Sequence, residues 1–165
     1  MSALPENVRH DLRRASAADL SAIEALQLAS YAPNRALLGV EPIPLLWDYA
    51  KVLREEEIWL LDASGGTDFP DGKNLAAVVI IKPERDHLLL SSIAIAPDLK
   101  GQGFGTKLLA FVDAQARAMG FSQVRLYTDQ PLTRNIALYQ RRGYVIERVE
   151  VMPDRSIVHM KKTLP

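Results

Sequence analysis

The pattern of apolar and polar positions divides the chain into segments with two different periods. Seven segments are apolar runs or alternate between apolar and polar residues, which predicts β-strands. These segments are Val8 to Arg14, Ile58 to Leu61, Leu75 to Lys82, Leu88 to Ile95, Val124 to Thr128, Tyr144 to Val151 and Ile157 to Lys162. Pro153 and Asp154 separate the last two, which therefore form a terminal hairpin.

Four other segments show helical spacing or helix boundaries. They run from Ser16 to about Ser30, from about Pro44 to Leu53, from Thr106 to Met119, and from Arg134 to Arg142 after Thr133 as a cap. The first helix is predicted from apolar residues at broadly helical spacing. These are Leu20, Ile23, Leu26, Leu28 and Tyr31. Three prolines and a glycine between the first two helices exclude one continuous helix there.

The resulting order of elements is β-α-α-β-β-β-α-β-α-β-β. This order predicts an α/β (α+β) protein in which helices cover both faces of a mixed central sheet of about seven strands and about four helices. The length of 165 residues and the 48% hydrophobic content predict one domain, residues 1–165, with a single proper core. The sequence shows no repeat, low-complexity tract or interdomain linker.

Composition limits the partners that the chain can have. Lys plus Arg and Asp plus Glu both number 20, so the zero formal charge gives no support to nucleic-acid binding. No apolar run reaches the roughly 20 residues of a membrane span, and no signal-peptide pattern is visible at Met1 to Glu6. The absence of cysteine excludes disulfides and a thiol nucleophile and fits a cytoplasmic protein. His10, His87 and His159 lack metal-ligand spacing, so we expect no metal site.

A glycine-rich turn lies between the predicted strand Leu88 to Ile95 and the following helix. It consists of Lys100, Gly101, Gln102, Gly103, Phe104, Gly105 and Thr106. Glycines at the start of a helix can form a phosphate cradle, because free N–H groups and the helix dipole favour an anion there. A tight turn without a ligand is the alternative. The spacing departs from both the Walker A loop and the dinucleotide-binding fingerprint.

Two motifs resemble the GNAT family of N-acetyltransferases. The sequence Lys100-x-x-Gly103-x-Gly105 resembles the family's Q/R-x-x-G-x-G/A signature, with lysine replacing the planar guanidinium or amide. The block from Thr133 to Tyr144 resembles the family's N-x-x-A-x-x-L-Y-x-x-x-G-F/Y motif, with a shortened first spacing. The segment Ser92 to Pro97 also resembles the family's strand before the turn, so the match spans roughly Leu88 to Gly143 and the closing hairpin.

This resemblance implies the GNAT fold, splayed in the middle of its sheet, and acetyl-CoA as cosubstrate. The amides of the Lys100 to Thr106 turn would hold the pyrophosphate. The pantetheine would pair with the strand that ends at Ile95, through the backbone of Ile93, Ala94 and Ile95, because splayed strands leave backbone groups unpaired. These side chains can equally pack in the core.

The resemblance also implies roles for polar residues of the last predicted helix. Asn135 would hydrogen-bond the pantetheine, or else supply polarity to the first helical turn. Tyr139 would protonate the departing thiolate, or else be a core tyrosine with a backbone partner. Arg141 or Arg142 would contact the 3′-phosphate, although arginines there also complement the helix dipole.

The group that removes a proton from the acceptor is the least defined part of the predicted site. Relatives often place Glu or His on the strand before the turn, whereas this chain has Ser91 and Ser92 there. Either serine could position a water, and Glu41 or Asp48 could supply a carboxylate. The alternative for each acid is a solvated surface position.

The region from Tyr31 to Tyr49 is expected to wall the acceptor pocket, with Arg35, Glu41 and Trp47 as further candidates. The sequence therefore predicts an acetyl-CoA-dependent N-acetyltransferase that moves the acetyl group directly to a primary amine of a small molecule or peptide. The alternative is a non-catalytic acetyl-CoA-binding sensor or interaction domain of the same fold. The sequence leaves both a monomer and a homodimer open.

Overall fold

The computed structural model describes residues 12–63 and 75–165. Seven strands form one sheet. They are β1 (Leu12–Arg14), β2 (Glu57–Asp62), β3 (Leu75–Pro83), β4 (Leu88–Ile95), β5 (Gln123–Asp129), β6 (Val145–Val151) and β7 (Ser156–Thr163). In the described part of the chain, four helices of seven or more residues accompany them, and a short helical turn lies at Arg35–Leu38. The four helices are α1 (Leu20–Tyr31), α2 (Tyr49–Glu55), α3 (Phe104–Ala118) and α4 (Thr133–Arg141). The predicted order of elements is confirmed.

The strands lie in the spatial order β1-β2-β3-β4-β5-β7-β6. Neighbouring strands are antiparallel except β4 and β5, which run parallel. The predicted mixed sheet of about seven strands and about four helices is therefore confirmed. The parallel pair follows from the connection through α3, because a crossover helix returns the chain to the same edge.

Two hydrophobic clusters cover the two faces of the sheet. One contains Leu108 and Phe111 of α3 against β3, β4, β5 and β7. The other contains Ile23 of α1 and Val52 of α2 against β2, β3 and β4. Every residue of β3 from Leu75 to Ile81 is buried, because this central strand is covered on both faces.

Some predicted details differ from the structure. Leu28 of α1 is 49% exposed, and the buried stripe is completed by Gln27 and Ser30 instead. The predicted second helix is broken: a 3₁₀ turn at Ile43–Leu46 precedes extended backbone at Trp47 and Asp48. Leu132 rather than Thr133 occupies the N-cap of α4.

Parts of the sequence-based predictions lie outside the described residues. These are His10, the start of the first strand from Val8 to Asp11, and the loop from Ser64 to Lys73. Among the described residues, no helix is both long and apolar enough to cross a membrane.

A β-bulge in β4 decides which side chains reach each face. Ile80 pairs with Ser92 but Ile81 pairs with Leu90, so Ser91 is the extra residue. The bulge reverses the alternation of side chains along the strand. Leu90 therefore packs on the face of the sheet covered by α3, whereas Ala94 packs on the face covered by α1 and α2.

Candidate active site

The sheet opens between β4 and β5 immediately after the bulge. The last pair that joins the two strands is Leu90 with Leu126, although β4 continues to Ile95 and β5 to Asp129. The ends of the two strands therefore border a gap in which no backbone hydrogen bonds join them. This is the splayed sheet that the family resemblance predicted.

The backbone of β4 presents hydrogen-bonding groups to this gap. The Ala96 N–H donates to the Ala76 carbonyl at 2.9 Å, so the pair Ile95–Ala77 is a non-hydrogen-bonded pair of the β3–β4 ladder. The same alternation applies to Ile93, two residues earlier. The amides and carbonyls of Ile93 and Ile95 therefore face away from β3 and toward the gap, whereas those of Ala94 are directed at β3.

The glycine turn lies at the open end of this gap. Gly101 and Gly103 have φ values of +80° and +84°, which only glycine adopts readily. Gly103 occupies the N-cap of the 15-residue helix α3. A Cβ at Gly103 would meet nothing within 4 Å, so it would project into the open space above the first helical turn. The free amides of that turn favour an anionic ligand in the same space.

Close packing explains the third glycine of the turn. A Cβ at Gly105 would approach Leu138 Cδ2 to 3.2 Å, which is tighter than an ordinary van der Waals contact. Gly105 therefore lets α4 lie against the start of α3. The contact brings the second sequence motif beside the first, with Ile95 also close to this position.

A cavity of about 510 Å³ runs from the glycine turn into the gap. It is lined by most of the residues that the sequence predicted to bind the cosubstrate. These are Ile93, Ile95, Lys100, Gly101, Gly103, Phe104, Gly105, Thr106, Asn135, Tyr139 and Arg141. Three other predicted residues, Ala94, Gln102 and Arg142, do not line this cavity. Arg134 lines it, although the sequence did not suggest this residue.

A second, narrower cavity of about 60 Å³ meets the first at Tyr31, Ile93 and Tyr139. Trp47 and the bulge residue Ser91 also line it. A ligand in the large cavity and a ligand in the narrow one would therefore meet beside the tip of β4. Two cavities with one junction suit a reaction between two substrates.

Tyr139 stands at this junction. Its ring packs against Tyr144, with centroids 5.9 Å apart and a T-shaped arrangement that fixes its orientation. No described residue hydrogen-bonds the Tyr139 hydroxyl. Burial raises the pKa of Tyr139 above its usual range, so the phenol keeps its proton at neutral pH. The residue can therefore donate a hydrogen bond or a proton at the meeting point.

Tyr31 is held at the junction by a directed hydrogen-bond network. Gln27 donates to Ser92 Oγ at 3.2 Å and to the Tyr49 hydroxyl at 2.8 Å. The Tyr31 hydroxyl donates to the Ile93 carbonyl at 3.0 Å and lies 2.8 Å from Ser92 Oγ. Because the hydroxyl proton of Tyr31 is used in the first bond, Ser92 is the donor in the second. Burial raises the pKa of Tyr31 to about 12. Ser92 is thus committed to positioning Tyr31.

The two acids that the sequence suggested as proton acceptors have other partners. Glu41 accepts hydrogen bonds from Arg35 at 2.6 and 3.2 Å on the protein surface. Asp48 accepts from the amides of Ala50 and Lys51 as the N-cap of α2. Neither acid is among the described residues that line the two cavities.

Two carboxylates that the sequence did not suggest are connected to the narrow cavity: Asp129 lines it, and Glu56 contacts Ser91, which lines it. The Ser91 hydroxyl donates to Glu56 Oε1 at 2.5 Å. Asp129, at the tip of β5, lines the cavity and is paired with buried Arg155 at 3.4 Å. Burial raises the pKa of Asp129, and Arg155 only partly opposes this effect.

The sequence carries little signal for these two acids. Glu56 belongs to a run of three glutamates that joins the end of α2 to the start of β2, and only the pairing of strands brings this run beside β4. Asp129 follows a predicted strand directly, which is the single feature that could have drawn attention to it. The arginine that partners Asp129 lies in the distant terminal hairpin.

The gap, the glycine turn and the two joined cavities define a two-substrate site of the acyltransferase type. Residues 23–144 match the family model described as Acetyltransferase (GNAT) family. Because this match covers more than half of the chain, the protein belongs to the GNAT family of acetyltransferases. The recognition made from the two sequence motifs is confirmed.

Relatives and solved structures agree with this assignment. The chain is 40% identical over 74 residues to a probable N-acetyltransferase camello of Xenopus tropicalis, a match that covers 45% of this chain and 33% of that protein. The chain thus spans about a third of that relative's length. The Escherichia coli ribosomal-protein-S18-alanine N-acetyltransferase superposes with a TM-score of 0.72 at 19% identity, over 93% of this chain and 92% of that one.

A further structural neighbour has acetyl-CoA bound. It is a GNAT family acetyltransferase from Elizabethkingia anophelis, with a TM-score of 0.64 at 16% identity over 93% of this chain and 97% of that one. At such identities these neighbours establish the fold. Among the described residues, no cluster of three or more His, Cys, Asp or Glu side chains could hold a metal ion.

Proposed function

We propose that this protein transfers the acetyl group of acetyl-CoA directly to a primary amine. The observation that carries the proposal is the junction of the two cavities at Tyr139 and Ile93, beside a gap whose backbone groups lack ladder partners. The acetyltransferase family match and the acetyl-CoA-bound neighbour support the choice of donor. No covalent thiol intermediate is available, because the chain has no cysteine.

The residues of the large cavity fit an extended ligand with a pyrophosphate and an amide-bearing arm. The amides at the start of α3, opened by Gly101 and Gly103, would hold the phosphates. The backbone of Ile93 and Ile95 would pair with the arm as an added strand does, and Asn135 would hydrogen-bond it. When bound, acetyl-CoA supplies the acetyl group as an activated thioester.

Tyr139 would then give its hydroxyl proton to the departing sulfur. A phenol whose proton is retained at neutral pH is suited to this task, because a donor must be protonated when the leaving group develops charge. The narrow cavity would hold the acceptor between Tyr31 and Trp47, with its nitrogen at the junction.

A pair of assays tests the proposal. Acetyl-CoA should raise the melting temperature in proportion to the logarithm of its concentration, because ligand binding to the folded state stabilises it. Release of free coenzyme A should then depend on an added amine, drawn from amino acids, diamines and peptides. Binding without amine-dependent release would favour the non-catalytic sensor, and absence of both would refute the proposal.

Arg141 is proposed to contact the 3′-phosphate of the cosubstrate, because it lines the large cavity whereas Arg142 does not. Arg141→Ala should weaken coenzyme A binding roughly tenfold, the effect of losing one hydrogen bond to a charged group. Calorimetry with 3′-dephospho-coenzyme A should show no such difference. Arg142→Ala is the matched control, and an equal effect of both substitutions would contradict the assignment.

A further inference from the structure

We infer that Glu56 is the proton acceptor for the incoming amine, reached through the hydroxyl of Ser91. Glu56 is the residue between α2 and β2, and its carboxylate accepts the Ser91 hydrogen bond at 2.5 Å. The inference rests on the proposed N-acetyl transfer and adds to it a residue that neither sequence motif contains.

The bulge places Ser91 at the point where β4 parts from β5. Ser91 is the extra residue of the β3–β4 ladder, and it immediately follows the last residue of β4 that pairs with β5. Ser91 lines the narrow cavity, which an acceptor would occupy. The residues at the junction of the two cavities line the same narrow cavity as Ser91. The nitrogen of an acceptor bound at this junction would therefore lie in the cavity that Ser91 borders.

Glu56 has no cationic partner among the described residues. No Lys, Arg or His of the described residues lies within ion-pair distance of it, whereas the adjacent Glu57 is paired with Arg14 at 3.1 Å. Tyr127 of β5 and Tyr49 of α2 lie within electrostatic range of Glu56. Burial and then the negative charge of Glu56 raise the pKa of Tyr127, which lines the narrow cavity.

Tyr49 also experiences the negative charge of Glu56. Burial is the main cause of its raised pKa, followed by a hydrogen bond from Gln27 that opposes the rise, and Glu24 of α1 and Glu56 add to it. Both tyrosines stay protonated at neutral pH and do not neutralise Glu56. An ammonium group in the narrow cavity would supply the missing positive charge.

The proton transfer balances without a further reactant. One N–H bond of the acceptor ammonium breaks, and its proton passes to Ser91 Oγ while the Ser91 hydroxyl proton passes to Glu56 Oε1. The electron pair of the broken bond remains on nitrogen as the lone pair that the reaction requires. Glu56 is only half-buried, so it can release the proton to solvent.

The other candidate proton acceptors that the sequence suggested have different hydrogen-bond partners in the structure. Ser92 is held between Gln27 and Tyr31, Glu41 is paired with Arg35, and Asp48 caps α2. The Ser91–Glu56 pair is the arrangement that combines a hydroxyl in the cavity with a carboxylate behind it.

Glu56→Gln tests the inference, with Glu55→Gln as matched control because Glu55 is an exposed glutamate in the last turn of α2. Wild-type turnover with an amine is measured first, since its absence would overturn the proposed function and this assignment together. At pH 7 we expect Glu56→Gln to lower kcat/KM roughly 10²-fold. The loss should shrink as pH rises toward the pKa of the amine, where the acceptor arrives already deprotonated.

Two further readouts separate a catalytic from a structural role. The stabilisation by acetyl-CoA should be the same in wild type, Glu56→Gln and Ser91→Ala. Ser91→Ala should show the same pH-dependent loss as Glu56→Gln, and it also serves if the glutamine variant folds poorly. A loss that is constant across pH, or equal activities of the Glu55 and Glu56 variants, would overturn the inference.

Discussion

Gly103→Val is expected to abolish acetyl-CoA binding while leaving the fold intact. Gly103 has a φ of +84°, a region that β-branched residues rarely adopt, and its Cβ would enter the open space above the first amides of α3. The side chain would occupy the volume proposed for the pyrophosphate and would also turn the amides away. We expect the Kd measured by calorimetry to rise at least roughly 100-fold, about 2.8 kcal/mol.

Gly120→Val is a closely matched control for this substitution. Gly120 follows the other end of α3, has a φ of +83°, and likewise has nothing within 4 Å of the position that a Cβ would take. Both variants should therefore lose similar stability, of order 1–3 kcal/mol. Only the Gly103 variant should lose ligand binding. If both variants bind acetyl-CoA as wild type does, the glycine turn is a structural feature and the proposed cradle is incorrect.

The glycine turn shows which parts of the site local sequence can predict. Its residues are contiguous, and the strand before it and the helix after it have distinct periods, so its position between β4 and α3 follows from pattern alone. The role of Gly105 could not be predicted in this way. It depends on Leu138, 33 positions away, which approaches only when α3 and α4 pack together.

The sequence also does not predict that the side chains of β4 change from one face of the sheet to the other. The run from Leu88 to Ile95 is apolar enough to predict a buried strand, but regular alternation would place Leu90, Ser92 and Ala94 on one face. The bulge at Ser91 separates them, because an extra residue shifts the alternation by one position. A bulge depends on its partner strand, so the sequence predicted fewer of the residues that line the narrow cavity than of those that line the large one.

The candidate proton acceptor also depends on strand pairing that the sequence does not specify. Glu41 was a reasonable suggestion from the proline-rich segment, but its carboxylate is paired with Arg35 at the surface. Glu56 reaches the site because β2, β3 and β4 lie side by side, so a residue 35 positions before Ser91 becomes its hydrogen-bond partner. Contacts across a sheet of this kind are set by strand order, and a single sequence does not specify strand order.

Tyr139→Phe should lower kcat by roughly 10²-fold or more while acetyl-CoA binds with unchanged affinity. The substitution removes one hydroxyl and keeps the ring that packs on Tyr144. In wild type the raised pKa keeps the phenol protonated, so the proton donor is present at neutral pH and is lost only as pH rises above the ordinary tyrosine range. Steady-state kinetics and calorimetry on the same preparation separate the two effects.

Tyr144→Phe is the control that isolates the position of the lost hydroxyl. Tyr144 is 2% exposed, and no described residue hydrogen-bonds its hydroxyl. It does not line either of the two joined cavities. Removing a buried hydroxyl without a partner costs little stability, so this variant should retain wild-type kcat. An unchanged kcat in Tyr139→Phe would remove Tyr139 from the mechanism, and the leaving sulfur would then depart as a thiolate stabilised by the backbone alone.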